Sequence, residues 1–124
     1  MARLTRSLVV GSLLIVASVS LSSCGTGGAV ADARRSCQSV ERALKLETQS
    51  RQPGITNGRR AQLQAQALSQ LLKATPSAAD ATSIDGSWNP LMTTIGEAER
   101  VPIPELIPAL RRLCRVANSS TPYL

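Results

Sequence analysis

Residues 29–50 read AVADARRSCQSVERALKLETQS, and this stretch decides the fold class. Apolar residues recur in it at spacings of three and four, at Val30, Ala33, Cys37, Val40 and Leu44. Charged residues occupy the positions between them. This pattern predicts an amphipathic helix with one buried face. The Gln52-Pro53-Gly54 segment that follows is a turn signal and ends the helix.

Three more helical stretches follow it. A second helix is predicted over residues 58–74 with Asn57 as its cap, and its apolar side is formed by Leu63, Ala67, Leu68, Leu71 and Leu72. Thr75-Pro76 is typical of a cap followed by a first-turn proline, and it opens a weaker helix that ends near Ile84. Asn89-Pro90 repeats the signal, so residues 90–99 form either a further helix or a continuation of the third with a break at Gly86.

The last helix is predicted to begin at Pro104. Its apolar positions are Ile103, Ile107, Leu110, Cys114 and Ala117. The chain has one Trp, one Tyr and no Phe, so its interior must come from aliphatic side chains, which favours closely packed helices over a sheet. We therefore expect an all-α domain over residues 29–118, a small antiparallel bundle of about four helices with one broken. Residues 119–124 are expected to be a frayed tail.

The amino-terminal segment is typical of an export signal. Arg3 and Arg6 precede an uncharged, largely apolar run over residues 8–21. That run is about fourteen residues long, whereas a membrane-spanning helix needs about twenty. It ends in Leu21-Ser22-Ser23-Cys24, which is followed by a glycine-rich stretch.

This segment resembles the signal peptide and lipobox of bacterial lipoproteins. The resemblance covers residues 1–24 and implies removal of residues 1–23 by cleavage between Ser23 and Cys24. It further implies a diacylglycerol on the Cys24 thiol and often an acyl chain such as palmitate on the new amino terminus. Residues 24–28 would then be a lipidated cysteine and a flexible tether, holding the domain on the extracytoplasmic face of the cell membrane. An ordinary secretory peptide with a chance cysteine and an uncleaved signal anchor are the alternatives.

Cys37 and Cys114 remain once Cys24 is assigned to lipid. In an exported domain an even pair favours a disulfide, which here joins the first helix to the last. Closing so long a loop contributes about 4 to 5 kcal/mol in the loop-entropy model. Two buried free thiols are the alternative. A metal site is disfavoured, because the chain has no His and two thiols fall short of the usual four ligands.

The chain carries a formal net charge of +6. Arg34 and Arg35 begin the domain close to the expected anchor, so they either contact the membrane surface or form a solvated helix face. The cluster Arg111, Arg112 and Arg115 has the same two interpretations, together with a favourable interaction with the carboxyl end of its own helix.

Catalytic signatures are missing from the sequence. There is no His for a triad, no phosphate-binding glycine loop and no Gly-x-Ser-x-Gly elbow, so we expect no enzyme and no cofactor. Glu97, Glu99 and Glu105 are interpreted as solvated charges at a helix end, and a carboxylate pair for acid-base chemistry is the alternative. Trp88 either plugs one end of the bundle or anchors a partner. Nucleic-acid binding is disfavoured, because there is little aromatic surface for stacking.

Two functions fit these features. The first is a non-enzymatic accessory or interaction protein that presents a helix face to another cell-envelope protein. The alternative is a small binding module that holds a lipid or another apolar ligand between its helices. A continuous apolar pocket would favour the ligand, and a solid interior beneath an exposed apolar patch would favour a protein partner.

Overall fold

The computed structural model describes residues 26–122, and over this range the chain is helical and without strands. Five α-helices follow one another: α1 (Thr26–Ser50), α2 (Asn57–Leu72), α3 (Thr75–Ile84), α4 (Asn89–Gly96) and α5 (Ile103–Asn118). Short 3-10 turns at Gly86–Trp88 and Glu97–Glu99 flank α4. The predicted all-helical bundle is confirmed.

The first helix is longer than the sequence pattern predicts. It begins at Thr26, so residues 26–28, expected to be part of a flexible tether, belong to the helix. Its buried face carries the predicted stripe, with Ala33, Cys37, Val40 and Leu44 all 7% exposed or less. The signal segment and the predicted lipid attachment site at Cys24 lie outside the described residues.

The second helix runs back along the first. The guanidinium Nε of Arg60, in the first turn of α2, donates to the carbonyl oxygen of Ser50 at the end of α1, at 3.2 Å. Past the other end of α2, the carbonyl oxygen of Ala74 accepts from the buried Ser36 hydroxyl at 3.0 Å. The two helices are therefore antiparallel, as their short connection requires.

The interrupted helix of the bundle consists of α2 and α3. Lys73 and Ala74 both have right-handed helical backbone angles, so the chain continues in nearly the same direction along α1. Pro76 lacks the N–H that would bond four residues back to Leu72, and this loss separates the two helices. The sequence pattern allowed a break at Gly86 within one helix. In the structure the chain reverses there, through Asp85 and the first 3-10 turn.

The predicted caps are shifted or absent. The cap of α2 is Thr56, whose hydroxyl accepts from the Arg59 N–H at 3.2 Å, and Asn57 is the first helical residue. Thr75 and Asn89 lie inside the first turns of α3 and α4, neither of which has a side-chain cap. In both helices a proline at the start, whose backbone φ angle is fixed near the helical value, favours helix formation without a side-chain cap.

The last helix returns along the first and is cross-linked to it. The Cys37–Cys114 disulfide is present, with an S–S distance of 2.07 Å and Cα atoms 5.5 Å apart, which confirms the predicted pairing. The helix α4 packs against α3 and α5 and closes the bundle. Residues 119–122 lie outside the helix, as expected of the tail.

The interior is built from apolar side chains of two sizes, all of them aliphatic except Trp88 and the disulfide cysteines. Alanines that are fully buried let the helices approach closely; they are Ala29, Ala33, Ala43, Ala67, Ala78, Ala81 and Ala117. Larger side chains fill the remaining volume; they are Trp88, Leu71, Leu91, Ile95 and Leu110, all 1% exposed or less. Burial of each large side chain contributes about 1.5 to 3 kcal/mol.

Candidate functional site

Both arginines predicted to contact a membrane are engaged within the fold. Arg34 donates from Nε to the carbonyl oxygen of Ala117 at 2.7 Å and from Nη2 to that of Ser119 at 3.2 Å, so it satisfies the open end of α5. Arg35 pairs with Asp32 at 2.7 Å. Membrane contact by these two side chains stays a prediction, and their structural roles need no membrane.

Trp88 occupies the 3-10 turn before α4 and is 1% exposed. Its ring is part of the core, which favours the interpretation as a plug. A binding anchor must offer its ring to a partner, and in this structure the surrounding side chains cover it.

The three acids near the proline-rich turn lie at the surface. The Glu97 carboxylate pairs with the Arg100 guanidinium at 2.6 Å, and Glu99 and Glu105 are exposed. Within residues 26–122 no group of three or more His, Cys, Asp or Glu side chains is placed to hold a metal ion.

A surface groove lies between α1 and α5. It consists of two adjoining concavities, of about 370 and 310 Å³, that share Arg111. The first is lined by Val40, Glu41, Leu44, Arg111, Cys114, Arg115 and Asn118. The second is lined by Thr48, Arg51, Pro104, Ile107, Pro108 and Arg111. We call the two together the α1–α5 groove.

The groove has an apolar floor and a basic rim. Among the described residues neither Arg111 nor Arg115 forms a salt bridge, and both are exposed. Glu41 is the one acid in the lining, and its Oε1 accepts from the Asn118 side chain at 3.3 Å. The exposed guanidinium groups of Arg111 and Arg115 are suited to bidentate hydrogen bonds with carboxylates.

Arg51 closes the far end of the groove and is held by a buried acid. Its Nε lies 3.2 Å from Oε1 of Glu47, which is 2% exposed on the core face of α1. Sequence interpretation overlooked Glu47, although it stands three residues after Leu44 and so falls on the apolar stripe. This pair fixes the position of Arg51, while the Arg51 side chain remains 48% exposed.

A separate structural feature is the turn between α3 and α4. The Asp85 carboxylate accepts from the Ser87 N–H at 3.0 Å and so caps the 3-10 turn. Hydrogen bonding from Ser87 to the ionised form lowers the pKa of Asp85 below its ordinary value of 3.8.

The described helices include none whose length and apolar character would let it cross a bilayer. The predicted site residues thus comprise a confirmed cross-link, Arg34, which ties α1 to the end of α5, Arg35, which pairs with Asp32 within α1, and a core tryptophan. The groove emerges only from the fold. No protein-family model matches this chain, and neither the curated proteins nor the solved structures give a significant match to it.

Proposed function

We propose that this chain is an extracytoplasmic lipoprotein whose helical bundle binds another cell-envelope protein through the α1–α5 groove and performs no catalysis. The anchor part rests on the signal-like residues 1–23 and the lipobox cysteine Cys24. The binding part rests on one observation, the groove whose rim carries Arg111 and Arg115, neither of which forms a salt bridge in the described part of the chain.

The chemistry of the groove favours an acidic, partly apolar protein segment as its occupant. Aliphatic side chains can rest on Ile107 and the small exposed part of Leu44, while carboxylates reach Arg111 and Arg115 on the rim. An amphipathic helix laid along two antiparallel helices makes contacts of this kind. Charge complementarity of this sort selects the partner and speeds association.

The packing of the interior supports a protein partner over the alternative, an apolar ligand held between the helices. Trp88, Leu71, Leu91 and Ile95 fill the space between helices that such a ligand would need. The α1–α5 groove opens to solvent along its length, so it offers one wall to an occupant and does not enclose it.

Intact-mass analysis of protein extracted from membranes tests the anchor. We expect a polypeptide that starts at Cys24 and carries the added mass of diacylglycerol, with or without a further acyl chain. The variant Cys24→Ala should accumulate as an uncut, unmodified precursor. Membrane-extracted protein with an unmodified Cys24 in an uncut chain contradicts the proposal.

A pair of charge reversals tests the groove. A photo-crosslinking residue in place of Thr48 in the membrane-anchored protein should give one discrete crosslinked product in cells. Arg111→Glu should lower its yield about fivefold or more, because a like charge then faces the acidic segment. Arg112→Glu is the matched control, since Arg112 is exposed on the same helix but lines neither concavity. Equal yields from the two variants would remove the groove from the proposal.

A further inference from the structure

Most large apolar side chains are buried or partly buried in the described part of the chain. The two that are exposed are Leu72, at 36%, and Ile84, at 51%. Leu72 lies at the end of α2, near the middle of the bundle. Ile84 is the last residue of α3 and lies at one extremity, next to the 3-10 turn that contains Trp88.

Ile84 packs beside the start of α1. Its Cδ1 atom is 3.6 Å from the position that a Cβ on Gly28 would occupy. Gly28 stands four residues after Cys24 in the chain. Because a residue spans at most about 3.6 Å, the Cα atom of Cys24 lies no more than about 14 Å from that of Gly28, whatever the conformation between them.

The charged side chains at the start of α1 make contacts within the fold. The charge of Arg35 is offset by Asp32 at 2.7 Å, and Arg34 directs its donors to the carbonyl groups that end α5. Asp85 follows Ile84 and adds a negative charge. Ile84 adds to this end an exposed apolar side chain that can leave water at a membrane surface.

We infer that Ile84 inserts into the headgroup–acyl boundary of the membrane beside the lipid anchor. The bundle then stands on the end formed by the start of α1, Ile84 and the first 3-10 turn. This inference rests on the proposed lipidation of Cys24, whose acyl chains bring Ile84 to the depth where an isoleucine gains from leaving water. The α1–α5 groove consequently extends away from the membrane, with Asn118 at its near end and Arg51 at its far end.

Trp88 provides an intrinsic probe of this contact, because it is the single tryptophan of the chain and lies four residues after Ile84. The lipidated protein is reconstituted in phosphatidylcholine vesicles that carry nitroxide-labelled lipids, which quench indole fluorescence at short range. We expect clear quenching by labels near the headgroup. Ile84→Gln should lower that quenching about twofold or more, because the end then lifts from the boundary.

Leu72→Gln is the matched control and should leave the quenching unchanged. Circular dichroism confirms that both variants fold, and co-flotation with vesicles confirms that the acyl chains still hold them. An acylated protein whose quenching is unaffected by Ile84→Gln overturns the inference and leaves the lipoprotein proposal intact. An unmodified Cys24 overturns both. A dimer in detergent that Ile84→Gln dissociates assigns Ile84 to a second copy of the chain and also overturns the inference.

Discussion

Arg34 and Ala117 are joined by a 2.7 Å hydrogen bond from the guanidinium Nε to the backbone carbonyl oxygen, across 83 positions of sequence. One helical turn later in α1 and one turn earlier in α5, Cys37 and Cys114 form the disulfide. The two links are thus in register on an antiparallel helix pair. Together they fasten the start of the domain to its end, one covalently and one through the unsatisfied carbonyl groups of a helix terminus.

Replacing Arg34 should weaken this fastening. We expect Arg34→Gln to lower the free energy of unfolding by about 1 to 2 kcal/mol, since it removes a charged donor from the last turn of α5. Urea unfolding measures the loss, and amide exchange should rise in the same turn. Arg35→Gln serves as the control, because its ion pair with Asp32 is exposed and contributes about 0.5 kcal/mol or less. Equal losses from both variants would contradict the role of Arg34.

The disulfide should provide the larger contribution. Replacing both Cys37 and Cys114 with alanine is expected to lower the free energy of unfolding by about 4 to 5 kcal/mol, because the bond closes a loop of 77 residues in the unfolded chain. Reduction of the wild-type protein by dithiothreitol should give a similar loss in urea unfolding. An unchanged midpoint after complete reduction would show that the bond contributes little.

Ser36 should stabilise the junction between α2 and α3. Its fully buried hydroxyl donates to the carbonyl oxygen of Ala74, and Ser36→Ala removes that bond at a cost of about 1 to 2 kcal/mol in urea unfolding. Ser39→Ala is the control, because the Ser39 hydroxyl bonds only to the exposed Arg42 within the described residues. A loss for Ser39→Ala that equals the loss for Ser36→Ala would argue against the assignment.

Removing Arg51 alone should destabilise the fold, whereas removing Glu47 as well should restore most of the lost free energy of unfolding. Arg51→Met leaves a buried carboxylate without its cation and should destabilise by about 1 to 3 kcal/mol, less than in a fully buried pair because Arg51 is half exposed. Adding Glu47→Leu should recover most of that loss, since an apolar side chain of similar size then occupies the site. Urea unfolding of the single and double variants separates these cases, and a double variant less stable than Arg51→Met contradicts the expectation.

Most of the helical framework follows from local patterns in the sequence. The apolar spacings of α1 and α5 depend only on neighbouring residues, so they locate both helices to within a few positions. The Cys37–Cys114 pairing could be inferred because two cysteines allow only one connection. Trp88 had two interpretations in sequence, and only its burial in the fold separates them.

The remaining features depend on contacts between distant segments, which spacing does not reveal. Thr56 and Asn57 are both good caps, and the entry angle of α2 decides between them. The kink at Pro76 resembles a helix start in sequence, because proline is tolerated in a first turn whether or not a helix precedes it. Arg34 looks like any exposed cation until α5 is placed beside it. The α1–α5 groove likewise exists only when both helices are packed.

The turn between α3 and α4 should give the protein a measurable sensitivity to acid. The pKa of Asp85 is lowered in the folded state by hydrogen bonds from Ser87, so the ionised carboxylate stabilises the fold. A folded pKa below the unfolded one means that this stabilisation is present above the ordinary value of 3.8 and is lost as the pH falls through the folded pKa.

Asp85→Asn provides the comparison, because asparagine keeps a capping oxygen but does not titrate. We expect the wild-type protein to lose more stability than Asp85→Asn when the pH is lowered from near neutrality to below the folded pKa, as followed by urea unfolding. Carboxyl NMR titration should place the Asp85 pKa below 3.8. A carboxyl that titrates at or above that value, or parallel pH profiles for the two proteins, would show that the Ser87 N–H does not favour the ionised form.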